Sequence, residues 1–188
     1  PPIKKKYSIK CFKIDKICSS NNILSLFSAF TVSGAQLLCD IGHKKIKIPS
    51  HEIANKDLIE YSSKNFSFVY LSTGASKEEE VILANRILKN GSSDYSLMHC
   101  VSSYPCNIET INLQRIKWLK TLHSNVGFSD HTKNLFTPSV ALSLGANVIE
   151  KHFTSDNNLP GRDNKFALNP EEFKVMCKKI FETSEMLI

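Results

Sequence analysis

The 188 residues contain no apolar run near the roughly 20 residues that a membrane-crossing helix needs, so no membrane span is expected. No basic start followed by an apolar core and a small-residue cleavage site stands at the N-terminus, so no secretory signal is read there. No C-x-x-C pair is present. The six cysteines (Cys11, Cys18, Cys39, Cys100, Cys106, Cys177) are irregularly spaced. That argues against zinc held by cysteine and for free thiols in a reducing cytoplasm. No G-x-G-x-x-G follows an apolar run, which counts against a dinucleotide-binding sheet. No zinc-finger or RNA-binding signature appears, and the lysines are scattered. The net charge of +6 therefore reads as a solubilising surface or as attraction for an anionic substrate, with no nucleic acid.

What is present is one structural beat, repeated. A short apolar run leads to a polar or glycine-bearing turn and then to an amphipathic stretch. The runs are residues 23–27, 46–48, 68–71, 95–98, 126–128 and 148–149. Their spacing is that of a βα unit. A first helix is expected over residues 7–19. Ser76 and Glu79 are spaced as a capping box, and Val81, Ala84, Ile87 and Leu88 share one face behind them. Asn112 to Leu122 places Ile116 and Leu119 on one face. Thr137-Pro138 opens a helix that Gly145 stops, and Asn169-Pro170 opens the last one. Six strands alternating with helices predict a parallel α/β sheet, either an open doubly wound sheet or a TIM (β/α)8-type barrel. A closed barrel needs about 250 residues and eight strands. The predicted fold is therefore a barrel truncated at its N-terminus, with about six βα units present.

The carboxyl ends of the strands, where barrels keep their active sites, carry the chemistry. They bear Lys47, Ser50, His51 and Glu52; then Ser72-Thr73-Gly74; then His99 to Pro105; then Ser129-Asp130-His131-Thr132; then Glu150-Lys151-His152. Hydroxyls and a lysine at one mouth suit a phosphate. His131 and His152, from neighbouring strands, suit one divalent cation, and imidazole alone does not choose which. Asp130 and Glu150 are expected to orient the imidazoles or activate a water. His43 and His123, in helix-to-strand connections at the other end, read as structural. Trp118 reads as packing, and His99 and Cys100 as pointing into the core.

These residues resemble a known family. The runs KIPSHEIAN from Lys47, LSTGAS, HCVSSYP, GFSDHT, ALSLGANVIEKHFT and PGRDNKFALNPEEF are similar to the sialic acid synthases, including the N-acetylneuraminate, legionaminic and pseudaminic acid synthases. SDHT followed by EKHFT is the specific part, and the likeness covers residues 23–188. The resemblance implies condensation of phosphoenolpyruvate with an N-acyl hexosamine, giving a nine-carbon α-keto acid sugar and phosphate. It implies His131 and His152 as ligands of manganese or magnesium. Lys47, Ser50, Ser72, Ser102 and Ser129 would hold phosphoenolpyruvate. Tyr104 and Asp163 would contact the sugar. Glu52, Glu150 and Lys47 would serve catalysis. It also implies a cytoplasmic enzyme and, at full length, a homodimer. Residues 1–188 would then be a partial barrel domain. Two earlier strands, with a sugar-binding Glu and a second phosphate-binding Lys, would lie before Pro1, and an antifreeze-like domain would follow. Two other readings stand beside this one: another phosphoenolpyruvate–aldose synthase, and a non-catalytic sugar- or metal-binding barrel remnant.

Overall fold

The structure, a computed structural model, describes residues 2–188, with side chains from Ile9 onward. Helices α1 (Pro2–Ser20) and α2 (Val32–Asp40) come first. Then follow β1 (Lys45–Ile48), α3 (Lys56–Asn65), β2 (Phe68–Ser72), α4 (Glu78–Lys89), β3 (Asp94–Cys100) and α5 (Arg115–Leu122). The chain ends with β4 (Val126–Asp130), α6 (Thr137–Ser143), β5 (Val148–Lys151) and α7 (Pro170–Met186).

All strand pairs are parallel, and the order in the sheet is the order in the chain. Each crossover therefore steps one strand in the same direction. Repeated right-handed crossovers of that kind put every helix on one face. A doubly wound sheet reverses direction and has helices on both faces. The fold is thus an α/β half-barrel.

A strand presents alternate residues to opposite faces. On the helix side Ile46, Ile48, Val69, Leu71, Leu97, Val126 and Phe128 pack against Leu58, Ile59, Val81, Leu88, Ile116 and Leu119. The other face carries Lys47, Tyr70, Ser72, Ser96, Met98, Cys100, Gly127, Ser129 and Glu150. Apart from Phe68, Met98 and Val148, that face is polar or small, the composition of a site rather than a core. Gly127 allows the close approach there, since a Cβ would lie 2.2 Å from Met98 Sδ.

The sheet is curved, and one contact proves it. Strands lie about 4.8 Å apart, so a flat sheet would separate its first and fifth strands by about 19 Å. Yet Lys47 Nζ on β1 lies 2.5 Å from Glu150 Oε2 on β5. Two side chains cannot span that distance unless the sheet rolls around them.

Among the described residues five strands form where six were expected. Residues 23–27 make no strand, and a single parallel bridge, Ser28 to Lys47, holds the segment against β1. Its hydrogen bonds are Lys47 N–H to Phe27 O and Ala29 N–H to Lys47 O, each 3.0 Å. Ile23 and Leu24 are exposed, so the apolar run is not a buried strand.

The start of α7 follows the sequence, and those of α4, α5 and α6 depart from it. Asn169 accepts from Glu172 N–H, and Glu172 accepts from Asn169 N–H, at 3.0 and 2.9 Å. At α4 the box sits one residue later than expected, with Glu80 accepting the Lys77 N–H at 2.8 Å. Ser76 instead donates to Thr73 O at 2.7 Å and closes the preceding turn. Helix α5 starts at Arg115, three residues after the expected Asn112. Thr137 is the first residue of α6 rather than its cap, because its hydroxyl donates to Asp130.

Candidate active site

The strand ends surround a cavity of about 480 Å³. Lys47, Ser50, Ser72, Ser102, Tyr104, Ser129, His131, Glu150 and His152 all line it. Asp163 lines an adjoining cavity of about 990 Å³ that shares Tyr104 and His152 with the first. Its carboxylate lies 3.7 Å from His152 Nδ1. Glu52 lines neither cavity. Its carboxylate accepts a 2.8 Å bond from Asn55 Nδ2, the residue that caps α3. The structure thus separates Glu52 from the other expected catalytic residues.

The strand alternation explains how two short motifs build the mouth. Ser129 stands beside Glu150, and Asp130 beside Lys151. Ser129, His131, Glu150 and His152 turn inward. Asp130 and Lys151 turn outward, beneath α6. Asp130 does not orient an imidazole. It accepts from Lys151 Nζ at 2.7 Å, Thr137 Oγ1 at 2.5 Å and Thr132 N at 2.8 Å. Burial lowers the pKa of Lys151 against the pull of Asp130.

Lys47 is buried and meets Glu150 at 2.5 Å. Desolvation would raise the Glu150 pKa, but Lys47 and the Ser129 hydroxyl outweigh it and hold that carboxyl below the ordinary range. The short turn Ser50–Glu52 aims the Ser50 hydroxyl at the strand ends, where it accepts the Gly74 N–H at 3.0 Å. Ser72 and Ser129 are both buried beside it.

The His131 and His152 rings lie 5.3 Å apart, centroid to centroid. His131 Nδ1 donates to Val101 O at 2.7 Å, which makes Nε2 the lone-pair nitrogen; it faces the Ser129 hydroxyl at 3.4 Å. Burial also lowers the His131 pKa, so the ring is neutral at pH 7, the form that ligates metal. Tyr104 packs over His131 at 4.3 Å and reaches His152 at 6.0 Å. Among the described residues, no group of three or more His, Cys, Asp or Glu is arranged to hold a metal ion. Two imidazoles that line one cavity are nitrogen donors of the kind a divalent ion accepts.

The sequence-based reading did not single out Ser28 or Phe30 as part of the mouth, and it gave Cys100 to the core. All three line the cavity. Period-two spacing from Ser102 was the only signal for Cys100. Phe30 stacks on His51 at 5.3 Å, a contact no local pattern announces. His43 and His123 are structural as expected: His43 packs on Phe27, and His123 bonds Tyr95 O at 2.9 Å. His99, also as expected, is buried and bonds Ile111 O at 2.8 Å.

The model of the NeuB family matches residues 8–188. The chain belongs to the NeuB family. An N,N'-diacetyllegionaminic acid synthase of Campylobacter jejuni is 39% identical over 163 residues, covering 85% of this chain and 49% of the relative. A pseudaminic acid synthase of the same organism is 32% identical, covering 93% of this chain and 52% of its own length. The crystal structure of an N-acetylneuraminic acid synthetase from Leptospira borgpetersenii, in complex with citrate, superposes with a TM-score of 0.90 at 33% identity. That match covers 98% of this chain and 64% of the other. This NeuB-family chain spans about half the length of the curated relatives it matches, between 44% and 51% for the first three. Among the described residues no helix is long and apolar enough to cross a membrane.

Proposed function

We propose that this chain is the catalytic barrel portion of a sialic-acid-type synthase that condenses phosphoenolpyruvate with an N-acyl hexosamine. One observation carries the reading. Lys47, the four serines Ser50, Ser72, Ser102 and Ser129, and His131 and His152 meet in a single cavity at the strand ends. In the proposal, Lys47, Ser50, Ser72, Ser102 and Ser129 hold the phosphate and carboxylate of phosphoenolpyruvate by charge-assisted hydrogen bonds. Tyr104 and Asp163 bind the sugar. His131 and His152 hold manganese or magnesium, which supplies Lewis acidity at a carbonyl oxygen. Glu52 is given no part in the reaction in this assignment, because it lines neither cavity and its carboxylate accepts from Asn55, the cap of α3.

The residues account for the chemistry. Carbon 3 of phosphoenolpyruvate attacks the aldehyde carbon of the open-chain sugar. Positive charge then develops at carbon 2. Glu150, held ionised at the cavity, stabilises that charge electrostatically. The same carboxylate takes a proton from the water that adds to carbon 2. Phosphate leaves from the grip of Lys47 and the serines. Holding both substrates in register lowers the barrier by up to roughly 7–11 kcal/mol in favourable cases. The complete protein would close the half-barrel to eight strands and act as a homodimer in a reducing cytoplasm.

The test is phosphate release from phosphoenolpyruvate by the full-length protein, with manganese and a panel of N-acyl hexosamines. Release that depends on one such sugar supports the proposal. Release with unacylated aldose phosphates alone would favour another phosphoenolpyruvate–aldose synthase. No release with any sugar would leave the non-catalytic reading.

A further inference from the structure

We infer that Cys100 is a positioning residue for the anion cradle: it holds the Ser50 hydroxyl so that its proton points into the cavity. The inference rests on the proposal that this cradle binds phosphoenolpyruvate.

Cys100 ends β3, and its thiol lies 2.9 Å from Ser50 Oγ, which arrives from the far side of β2. The same oxygen accepts the Gly74 N–H at 3.0 Å. A serine hydroxyl has two lone pairs and one proton. When the Gly74 amide fills one lone pair and the Cys100 S–H fills the other, the serine proton is the only group left to offer. It then points at whatever occupies the cavity that Ser50 and Cys100 both line. The hydroxyl becomes a fixed donor, which suits an anion.

The surroundings hold Cys100 in place. A Cβ at Gly74 would lie 2.6 Å from Cys100 Sγ, 2.8 Å from Ser102 Oγ and 2.9 Å from Cys100 O. The ends of β1, β2 and β3 are therefore drawn together around one sulfur. Cys100 is buried, so the thiol is part of the wall. Cys106 makes the useful contrast. It is buried too, but its Sγ faces Asn107 O and Thr110 and does not line the cavity.

The experiment uses the full-length protein with phosphoenolpyruvate as the varied substrate, and inorganic phosphate as the probe for direct binding. Cys100→Ala is expected to raise KM for phosphoenolpyruvate about three- to tenfold, the effect of one lost neutral hydrogen bond. It leaves KM for the sugar unchanged and weakens phosphate binding to match. Cys100→Ser, which keeps a donor, restores most of the loss, and Cys106→Ala changes neither constant. Because Cys100 acts through Ser50, Cys100→Ala adds nothing on a Ser50→Ala background. Equal shifts for both substrates, or full additivity with Ser50→Ala, would overturn the inference. If Cys100→Ala fails to fold, Cys100→Ser and Cys100→Val carry the test, and equal KM for phosphoenolpyruvate in the two also overturns it. A Ser50→Ala variant with unchanged KM for phosphoenolpyruvate would remove the cradle reading itself. An altered Ser50→Ala with a normal Cys100→Ala removes only this inference.

Discussion

Asp130 and Lys151 stand side by side on β4 and β5 and pair at 2.7 Å on the helix face of the sheet, with their side chains 0% and 2% exposed. They sit inside the same short motifs as His131 and His152, yet they face the other way. Each motif thus carries inward chemistry and an outward lock. Lys151 also donates to Thr132 O at 2.6 Å, fastening the turn that leads into α6. Removing one partner leaves a buried charge alone. Lys151→Met or Asp130→Ala is expected to cost about 3–5 kcal/mol of stability, and replacing both with apolar residues less. Urea denaturation of the three variants checks this.

Lys47 is the ammonium assigned to the phosphate; the cavity's other lysine, Lys151, is paired with Asp130. Lys47→Ala should raise KM for phosphoenolpyruvate by about 10- to 100-fold, the range for a hydrogen bond to a charged group, with a much smaller effect on the sugar. Steady-state kinetics with each substrate varied in turn will decide it. Equal effects on both would contradict the assignment.

His131→Ala and His152→Ala should each abolish metal-dependent turnover in the full-length protein. Manganese titration of activity is one measurement. Equilibrium binding of manganese to the variants is a second, independent of catalysis. Normal activity in either variant would reject the pair as metal ligands.

Acid should destabilise the protein in two stages. Burial lowers the pKa of His99, against the raising effect of its bond to Ile111 O, and burial likewise lowers His123 and His131. Below about pH 6.5 the unfolded chain takes up protons that these folded imidazoles refuse, so stability is lost as pH falls from there toward the folded values. Glu150, with its pKa also lowered, adds a loss that begins near its unfolded value of about 4.3. The urea midpoint should therefore fall from pH 7 to 5 and again below it, with a shallower first slope in His99→Gln. A midpoint that rises on acidification would contradict this.

Much of the fold was legible because it depends on local pattern. The runs at 46–48, 68–71, 95–98 and 126–128 lie within strands, and Gly145 stops α6 with a φ of +99°. The run at 23–27 misled because apolar composition does not say whether a neighbouring strand is free to pair; only Lys47 takes one bridge from it. Glu52, given a catalytic role by the resemblance, and Asp130, expected to orient an imidazole or activate a water, each find a nearer partner, in Asn55 and Lys151.

The amino-acid sequence by itself determined the parallel α/β repeat, the family resemblance and the residue types at the strand ends, since these follow from periodicity and short motifs. Only the tertiary structure decided which of those residues share a cavity. The curvature that brings Lys47 to Glu150 across the sheet, and the alternation that turns Asp130 away from His131, belong to the packed sheet as a whole. A side chain's direction depends on strand register and on the competition among buried partners, and neither is written in any one segment.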